Sequence, residues 1–185
     1  MALKLPDHAK DKPIEIWFQD EARIGQQGSL TRVWAKRGTR PRAPRDQRYK
    51  WAYIFGAVCP QRCATAALVL PAANTESMSM HLAEISRRVD ANAHAMLILD
   101  GAGYHKATDL KLPDNITLVY LPPYAPELNP IENIWAYLRA NKLANTVYQD
   151  YDDILDKTSD AWMFFANDEK VVASITSRYW AQVNL

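Results

Sequence analysis

Three carboxylates stand where a soluble protein gains little from an unpaired charge. Asp20 follows the alternating run Ile14-Glu15-Ile16-Trp17-Phe18-Gln19. Asp100 closes the apolar run Met96-Leu97-Ile98-Leu99, and Glu132 follows Asn129-Pro130-Ile131. An ionised acid buried beside such runs without a partner loses several kcal/mol of hydration. If the fold brings the three together, divalent cations are the natural partner. Hard cations such as Mg²⁺ take oxygen ligands, commonly one or two carboxylates completed by water and phosphate. Two ions about 3.5–4 Å apart can activate a water or a 3′-hydroxyl and stabilise the leaving oxygen of an in-line displacement at phosphorus. The spacing favours Asp20 over its neighbour Glu21, because Asp20 shares a strand face with Ile14, Ile16 and Phe18 while Glu21 falls on the other. Glu132 carries two readings, metal ligand or the N3 residue of a capping box. Glu127 is the competing acid, placed in the preceding turn.

The elements that must position these acids follow from periodicity. Residues 1–13 read as a leader, and residues 14–185 as one domain, long enough to bury a full core. Strands are expected at 14–21, 51–58, 64–70, 95–99 and 116–121, with a short one at 33–35. The first, second and third long strands have short or loop-like connections and suit an antiparallel meander. The run at 95–99 has no alternation, as in a central strand covered on both faces. A helix capped by Asn74 or Thr75 crosses over to it, with Met78, Leu82, Ile85 and Val89 on one face. Residues 104–111 suggest a short helix. Asn129 as N-cap and Pro130 at the first helical position start the helix that carries Glu132. Further helices are expected at 151–165 and 170–181. Three strands, helix, strand, short helix, strand and then helices is the plan of a ribonuclease H-like α/β fold, a five-stranded mixed sheet with helices on both faces.

Charge and composition narrow the class. Apolar residues make up 48% and charged residues 23%, values of an ordinary globular chain rather than a disordered one. No apolar run approaches the roughly 20 residues of a membrane span, and no signal core opens the chain, which points to the cytoplasm and, for a DNA-acting protein, the nucleoid. Cys59 and Cys63 lack a second ligand pair, so free thiols are expected rather than zinc. The net charge is only +1, yet Arg32, Lys36, Arg37, Arg40, Arg42, Arg45, Arg48 and Lys50 face a single acid, Asp46, within one segment. Trp34, Tyr49 and Trp51 lie among or beside them. Arginine with aromatics suits phosphate contact and stacking, and a local stripe neutralises phosphates even in a neutral molecule. Arg23, His105 and Tyr124 are further candidates for contact with substrate phosphate. For Arg23 pairing with Glu21 is the alternative, for His105 a partly exposed loop position, and for Tyr124 packing on Pro123.

Four blocks carry a resemblance. They are Gln19-Asp20-Glu21-Ala22-Arg23, Val33-Trp34-Ala35-Lys36-Arg37-Gly38-Thr39-Arg40-Pro41, Leu99-Asp100-Gly101-Ala102-Gly103-Tyr104-His105, and the proline-rich run from Leu121 through Pro130-Ile131-Glu132-Asn133 to Trp135. Together, over residues 14 to 145, the chain resembles the DDE transposases of the mariner superfamily, in their bacterial insertion-sequence branch. The resemblance implies a catalytic triad of Asp20, Asp100 and Glu132. It also implies Mg²⁺ dependence, with Mn²⁺ as a substitute and two ions per site, and cleavage and strand transfer at inverted-repeat ends. Relatives carry a helix-turn-helix domain ahead of the core, where this chain has about 13 residues. End recognition is therefore expected from a partner chain, such as the product of an upstream reading frame. Joining two ends implies a homo-oligomer assembled on DNA. Two other classes stay open on the residues alone: a non-catalytic DNA-binding remnant, and another ribonuclease H-like nuclease of the resolvase type.

Overall fold

A computed structural model of the chain describes residues 5–26, 35–39, 47–123 and 125–177. The sheet is built outward from β1 (Ile14–Gly25). β2 (Trp51–Cys59) pairs with it antiparallel, and β3 (Ala64–Leu70) pairs antiparallel with β2. On the other side, β4 (His94–Leu99) lies parallel to β1, and β5 (Ile116–Tyr120) parallel to β4. The order is β3-β2-β1-β4-β5. α1 (Thr75–Arg88) makes the crossover from β3 to β4. It is capped by Asn74, whose side chain accepts from the Ser77 N–H, a contact worth about 1 kcal/mol.

The two faces of the sheet carry separate cores. Trp17, Phe55, Ala57, Leu97 and Leu99 pack with Met78, Leu82 and Ile85 of α1. Ile16, Phe18, Ala22, Ile24, Ala52 and Ile54 pack on the opposite face. There they meet α2 (Ile131–Leu138), α3 (Tyr151–Ala166) and α4 (Glu169–Thr176) through Ile134, Trp135, Ile154, Trp162, Phe165 and Val172. The alternation along β1 thus divides its residues as the sequence indicates, with Asp20 on the α2 face. The inward set of α3, including Thr158 and Ala161, is buried as its spacing requires.

Several elements differ from expectation, each for a local reason. β1 does not end near Asp20 but runs on to Gly25, because β2 continues to pair with it as far as Gly25↔Trp51. What ends there is the parallel pairing, whose last partners are Phe18↔Ile98. Residues 104–111 form only a single 3₁₀ turn, Gly103–Lys106. α2 begins at Ile131, with Pro130 in the cap position; Asn129 still serves it, its Oδ1 accepting from the Ile131 N–H at 3.2 Å. Within the expected leader, Asp7–Ala9 is a 3₁₀ turn, Ala9 is buried, and His8 Nε2 lies 2.9 Å from the carbonyl of Asp114. Of the strand expected at 33–35, Val33 and Trp34 lie outside the described residues, and Ala35 is in no strand. The last helix ends at Thr176, and residues 178–185 are outside the described set. Cys59 and Cys63 are free thiols, Cys59 buried in the α1-side core.

Candidate active site

Asp20, Asp100 and Glu132 line one cleft of about 380 Å³ at the C-terminal ends of β4 and β5. Its other walls include Lys106, Pro122, Pro123, Pro126 and Asn129. Parallel strand ends beside a change of strand direction are where open α/β sheets place their sites. Here β1 is the switch, parallel to β4 and antiparallel to β2.

Asp20 is the inner acid. Its Oδ2 accepts from the indole N–H of Trp135 on α2 at 2.7 Å. That approach depends on Gly56, the residue opposite Asp20 on β2. A Cβ at Gly56 would stand 2.7 Å from the Trp135 ring and 2.8 Å from the Trp162 ring. Burial pushes the Asp20 carboxyl up to about 7, against the hydrogen bond from Trp135, and the negative charges of Glu21 and Glu132 add to the rise. Burial and the two nearby negative charges both disfavour the ionised form. A bound hard cation would offset these charges, and all three lining acids are oxygen donors, so the donor set fits one. Among the described residues no three His, Cys, Asp or Glu side chains form a cluster able to hold a single ion.

Asp100 is exposed, but it is held from behind. The Ala102 N–H donates to its Oδ1 at 3.0 Å. His105, in the 3₁₀ turn, places Nδ1 2.9 Å from the same oxygen and 3.2 Å from the Asp100 carbonyl. The other ring nitrogen lies 3.6 Å from Glu21 Oε1. Burial works against protonation of this ring, but Glu21 and Asp100 outweigh it and hold the His105 pKa above its usual value. Glu21 in turn accepts from Gln19 Nε2 at 2.9 Å. The Gln19 carbonyl accepts from Asn129 Nδ2 at 2.8 Å, and Asn129 sits at the start of α2. Gln19-Asp20-Glu21 is thus the hub of the site: Asp20 ties to α2 through Trp135, Gln19 through Asn129, and Glu21 reaches Asp100 through His105.

Glu132 projects from the first turn of α2 and is exposed. It does not close a capping box. The N–H it would have to reach, that of Asn129, already donates to the Pro126 carbonyl at 2.9 Å. Glu127 is exposed in the 3₁₀ turn before the helix and does not line the cleft.

With this geometry in view, the model of the DDE superfamily endonucleases matches residues 15–155. The chain belongs to that family. The "Uncharacterized protein y4pE/y4sA" of Sinorhizobium fredii (strain NBRC 101917 / NGR234) is 54% identical over 131 residues, 71% of this chain and 97% of that protein. Among solved structures, the Mos1 strand transfer complex is similar over 88% of this chain and 50% of that chain, with a TM-score of 0.63 and 17% identity. The Mos1 mariner paired end complex with Mn gives a TM-score of 0.64 at 17% identity, over 88% of this chain and 51% of that one. The chain spans about half the length of the Mos1 chains it matches. The shared fold is the ribonuclease H-like core.

As a DDE-family core, the chain brings together the three acids picked out in the sequence. The candidates for DNA contact are more scattered. Arg23 is exposed on β1 with its guanidinium 5.5 Å from the ring centroid of Trp51. Lys36 and Arg37 are exposed beside a turn at Gly38. Arg32, Trp34, Arg40, Arg42, Arg45 and Tyr124 lie outside the described residues. His105 is 1% exposed rather than a loop residue open to solvent, and it lines neither cleft that contains Asp20. Four side chains of the site were missed: Gln19, Glu21, Asn129 and Trp135. The signal available for the first two was a run of three polar residues, Gln19-Asp20-Glu21, inside an otherwise apolar strand.

Proposed function

We propose that the chain is the catalytic core of a transposase of the mariner type, cutting and joining DNA at the inverted-repeat ends of a bacterial insertion element. The observation that carries this reading is the single cleft lined by Asp20, Asp100 and Glu132, each from a different element.

Two divalent ions, Mg²⁺ or Mn²⁺, would activate the attacking hydroxyl and offset charge on the leaving oxygen. Asp20, Asp100 and Glu132, which line the one cleft, would hold the ions. The bond formed joins the oxygen of water or of a 3′-hydroxyl to phosphorus, and the bond broken releases the 3′-oxygen on the far side, the proton lost by the attacking oxygen being balanced by one taken up from solvent by the leaving oxygen. No residue of the chain is covalently modified. Trp135, Asn129 and His105 hold the acids in place through the transfer, so that little reorganisation is needed as charge moves. Lys106 lines the same cleft and could meet a phosphate there.

DNA is the partner, with the arginine-rich segment 32–50 gripping its backbone. In this reading end recognition comes from a helix-turn-helix partner chain, the core assembles as a homo-oligomer on paired ends, and the site of action is the nucleoid. Among the described residues no helix is long and apolar enough to cross a membrane.

The test is nicking of supercoiled plasmid in Mn²⁺ by the chain and by Asp100→Asn. Metal-dependent nicking that the substitution abolishes supports the reading. Nicking that survives it moves the chemistry off these acids. Preference for branched DNA or RNA–DNA hybrid over repeat ends would make the chain a nuclease of another kind.

A further inference from the structure

A second cleft, of about 410 Å³, opens from the same two acids, Asp20 and Glu132, and leads the other way. One wall is β1 from Asp20 to Gly25. The other is α2 and the turn after it, with Arg139, Leu143 and Tyr148. Trp51 stands at the far end.

The β1 wall is an open sheet edge. Pairing with β4 stops at Phe18, while pairing with β2 continues to Gly25. Gln26 N–H donates to the Lys50 carbonyl, so even-numbered residues of this stretch bond toward β2. The Gln19 carbonyl accepts from Asn129, so odd-numbered residues point their backbone groups to the other edge. The N–H groups of Glu21, Arg23 and Gly25 therefore face the cleft, where β1 has no partner strand among the described residues. Open backbone donors of this kind suit phosphate oxygens.

The cleft also joins the acids to the root of the basic segment. Gln26 Nε2 donates to the Tyr148 carbonyl at 3.3 Å, and the Lys50 N–H donates to Gln26 Oε1 at 3.0 Å. Arg48 donates to the carbonyls of Tyr148 and Gln149. Both ends of segment 27–50 are thus fastened beside Tyr148. Gly25 permits this closure, because a Cβ there would lie 2.4 Å from the Lys50 carbonyl oxygen. Arg139 opens a π-helical turn, Arg139–Leu143, a distortion often found at functional sites.

Resting on the reading that the acids act on DNA, we propose that this cleft holds one unpaired DNA strand running from the reacting phosphate toward the basic segment. Arg139 and the β1 edge hold its phosphates, and Trp51 stacks a base. The volume is that of a small-molecule pocket, which admits a nucleotide and excludes a duplex. Trp51 is 40% exposed with Arg23 beside its ring, and an exposed aromatic flanked by arginine is a sequence-tolerant platform for single strands.

The experiment is fluorescence anisotropy of a labelled single-stranded oligonucleotide, and separately of its duplex, with the full chain in EDTA at several salt concentrations. Trp51→Ala should weaken single-strand binding by about tenfold or more, and Trp51→Phe by much less. Arg139→Ala should reduce the magnitude of the salt slope by about 0.7. Duplex binding should change little in the tryptophan variants. Affinity and slope equal to the parent's in both alanine variants would overturn the proposal, as would equal losses on duplex and single strand. If Trp51→Ala does not fold, the exposed Arg139 decides the matter alone. Nicking by Asp100→Asn separates the two readings. Its survival removes the catalytic assignment without touching single-strand binding, whereas its loss alongside unaltered binding in Trp51→Ala and Arg139→Ala removes only the groove.

Discussion

The indole N–H of Trp135 donates to Asp20 Oδ2 at 2.7 Å, across 115 residues of sequence, and is the direct tie between the inner acid and the helix that carries Glu132. A hydrogen bond to an ionised group contributes about 1.5–3 kcal/mol, and this one favours the carboxylate over the acid. Trp135→Phe keeps most of the ring volume and removes the donor. The expected result is Mn²⁺-dependent nicking reduced by about tenfold or more, with a loss of stability of no more than about 3 kcal/mol. Gly56→Ala tests the same contact from below. Its methyl group overpacks two indoles, so destabilisation of about 1–3 kcal/mol is expected together with the loss of nicking. Thermal melting and plasmid nicking on the same samples separate the two effects. Full activity in Trp135→Phe would make the contact a packing accident.

The proton affinity of Asp20 gives a pH dependence of definite sign. Its carboxyl is raised from 3.8 to about 7 in the folded chain, chiefly by burial. A raised pKa contributes stability that is full below pH 4 and is lost as pH rises through about 7. The metal-free chain should therefore lose stability relative to Asp20→Asn between pH 4 and pH 8. The ceiling is about 4 kcal/mol at about 1.4 kcal/mol per unit, lowered by the solvent that reaches the cleft. Mn²⁺ should reverse the order. Proton and ion compete for the same oxygen, so stabilisation of the parent by metal grows with pH and is absent in the variant. Melting curves at pH 5 and pH 8, with and without Mn²⁺, check both halves.

His105 should act through Asp100 rather than on substrate. Its Nδ1 faces the Asp100 carboxylate and its ring is shut away from the cleft. His105→Ala frees Asp100 to rotate and leaves the half-buried Glu21 without its neighbour. The Mn²⁺ concentration for half-maximal nicking should rise by about an order of magnitude, with a smaller change in the rate at saturating metal, as found for outer-sphere partners of metal ligands. His105→Asn keeps an N–H near the position of Nδ1 and should recover part of the loss. Equal effects on metal requirement and saturated rate, with no recovery in Asn, would point to structural damage alone.

These relationships mark the limit of what the sequence discloses. The five strands, the crossover helix and the face of Asp20 follow from local periodicity, because burial on one face or two writes itself into every second or every third to fourth residue. Asp20 and Asp100 were legible for the same reason, as charges at the ends of apolar runs, whereas Glu132 opens a helix, where local sequence reads equally as a cap, and the family resemblance singled it out. The extent of β1 was not, since it depends on how far β2 follows it from the far side of a loop. Nor was the role of Glu21. Alternation correctly put it on the face opposite Asp20, and that seemed to remove it from the chemistry. Yet His105 comes up under that face from another element, and the contact spans 84 positions. Hydrogen bonds between distant side chains leave no period in a sequence, so the acids could be found from it while the frame that holds them could not.

A last pair bears on the fold rather than on the reaction. Glu15 is buried on β1, where it accepts from Arg62 Nη1 at 2.6 Å, from the Trp17 indole at 2.8 Å and from the Asp90 N–H at 3.1 Å. It thereby ties the β2–β3 turn and the end of the crossover to the central strand. Removing one partner of a buried pair leaves a charge stranded, at about 3–5 kcal/mol when both are fully buried. The Arg62 side chain is 41% exposed, so water recovers part of that. Arg62→Ala should then lose about 1–3 kcal/mol in urea unfolding. The double variant Glu15→Gln with Arg62→Ala should be more stable than Arg62→Ala alone, because the stranded charge is gone. Metal-dependent nicking per folded molecule should stay at the parent level in both, since the acids lie at the other end of β1. A double variant no more stable than Arg62→Ala would mean that Arg62 acts through its contact with the Arg88 carbonyl rather than through Glu15.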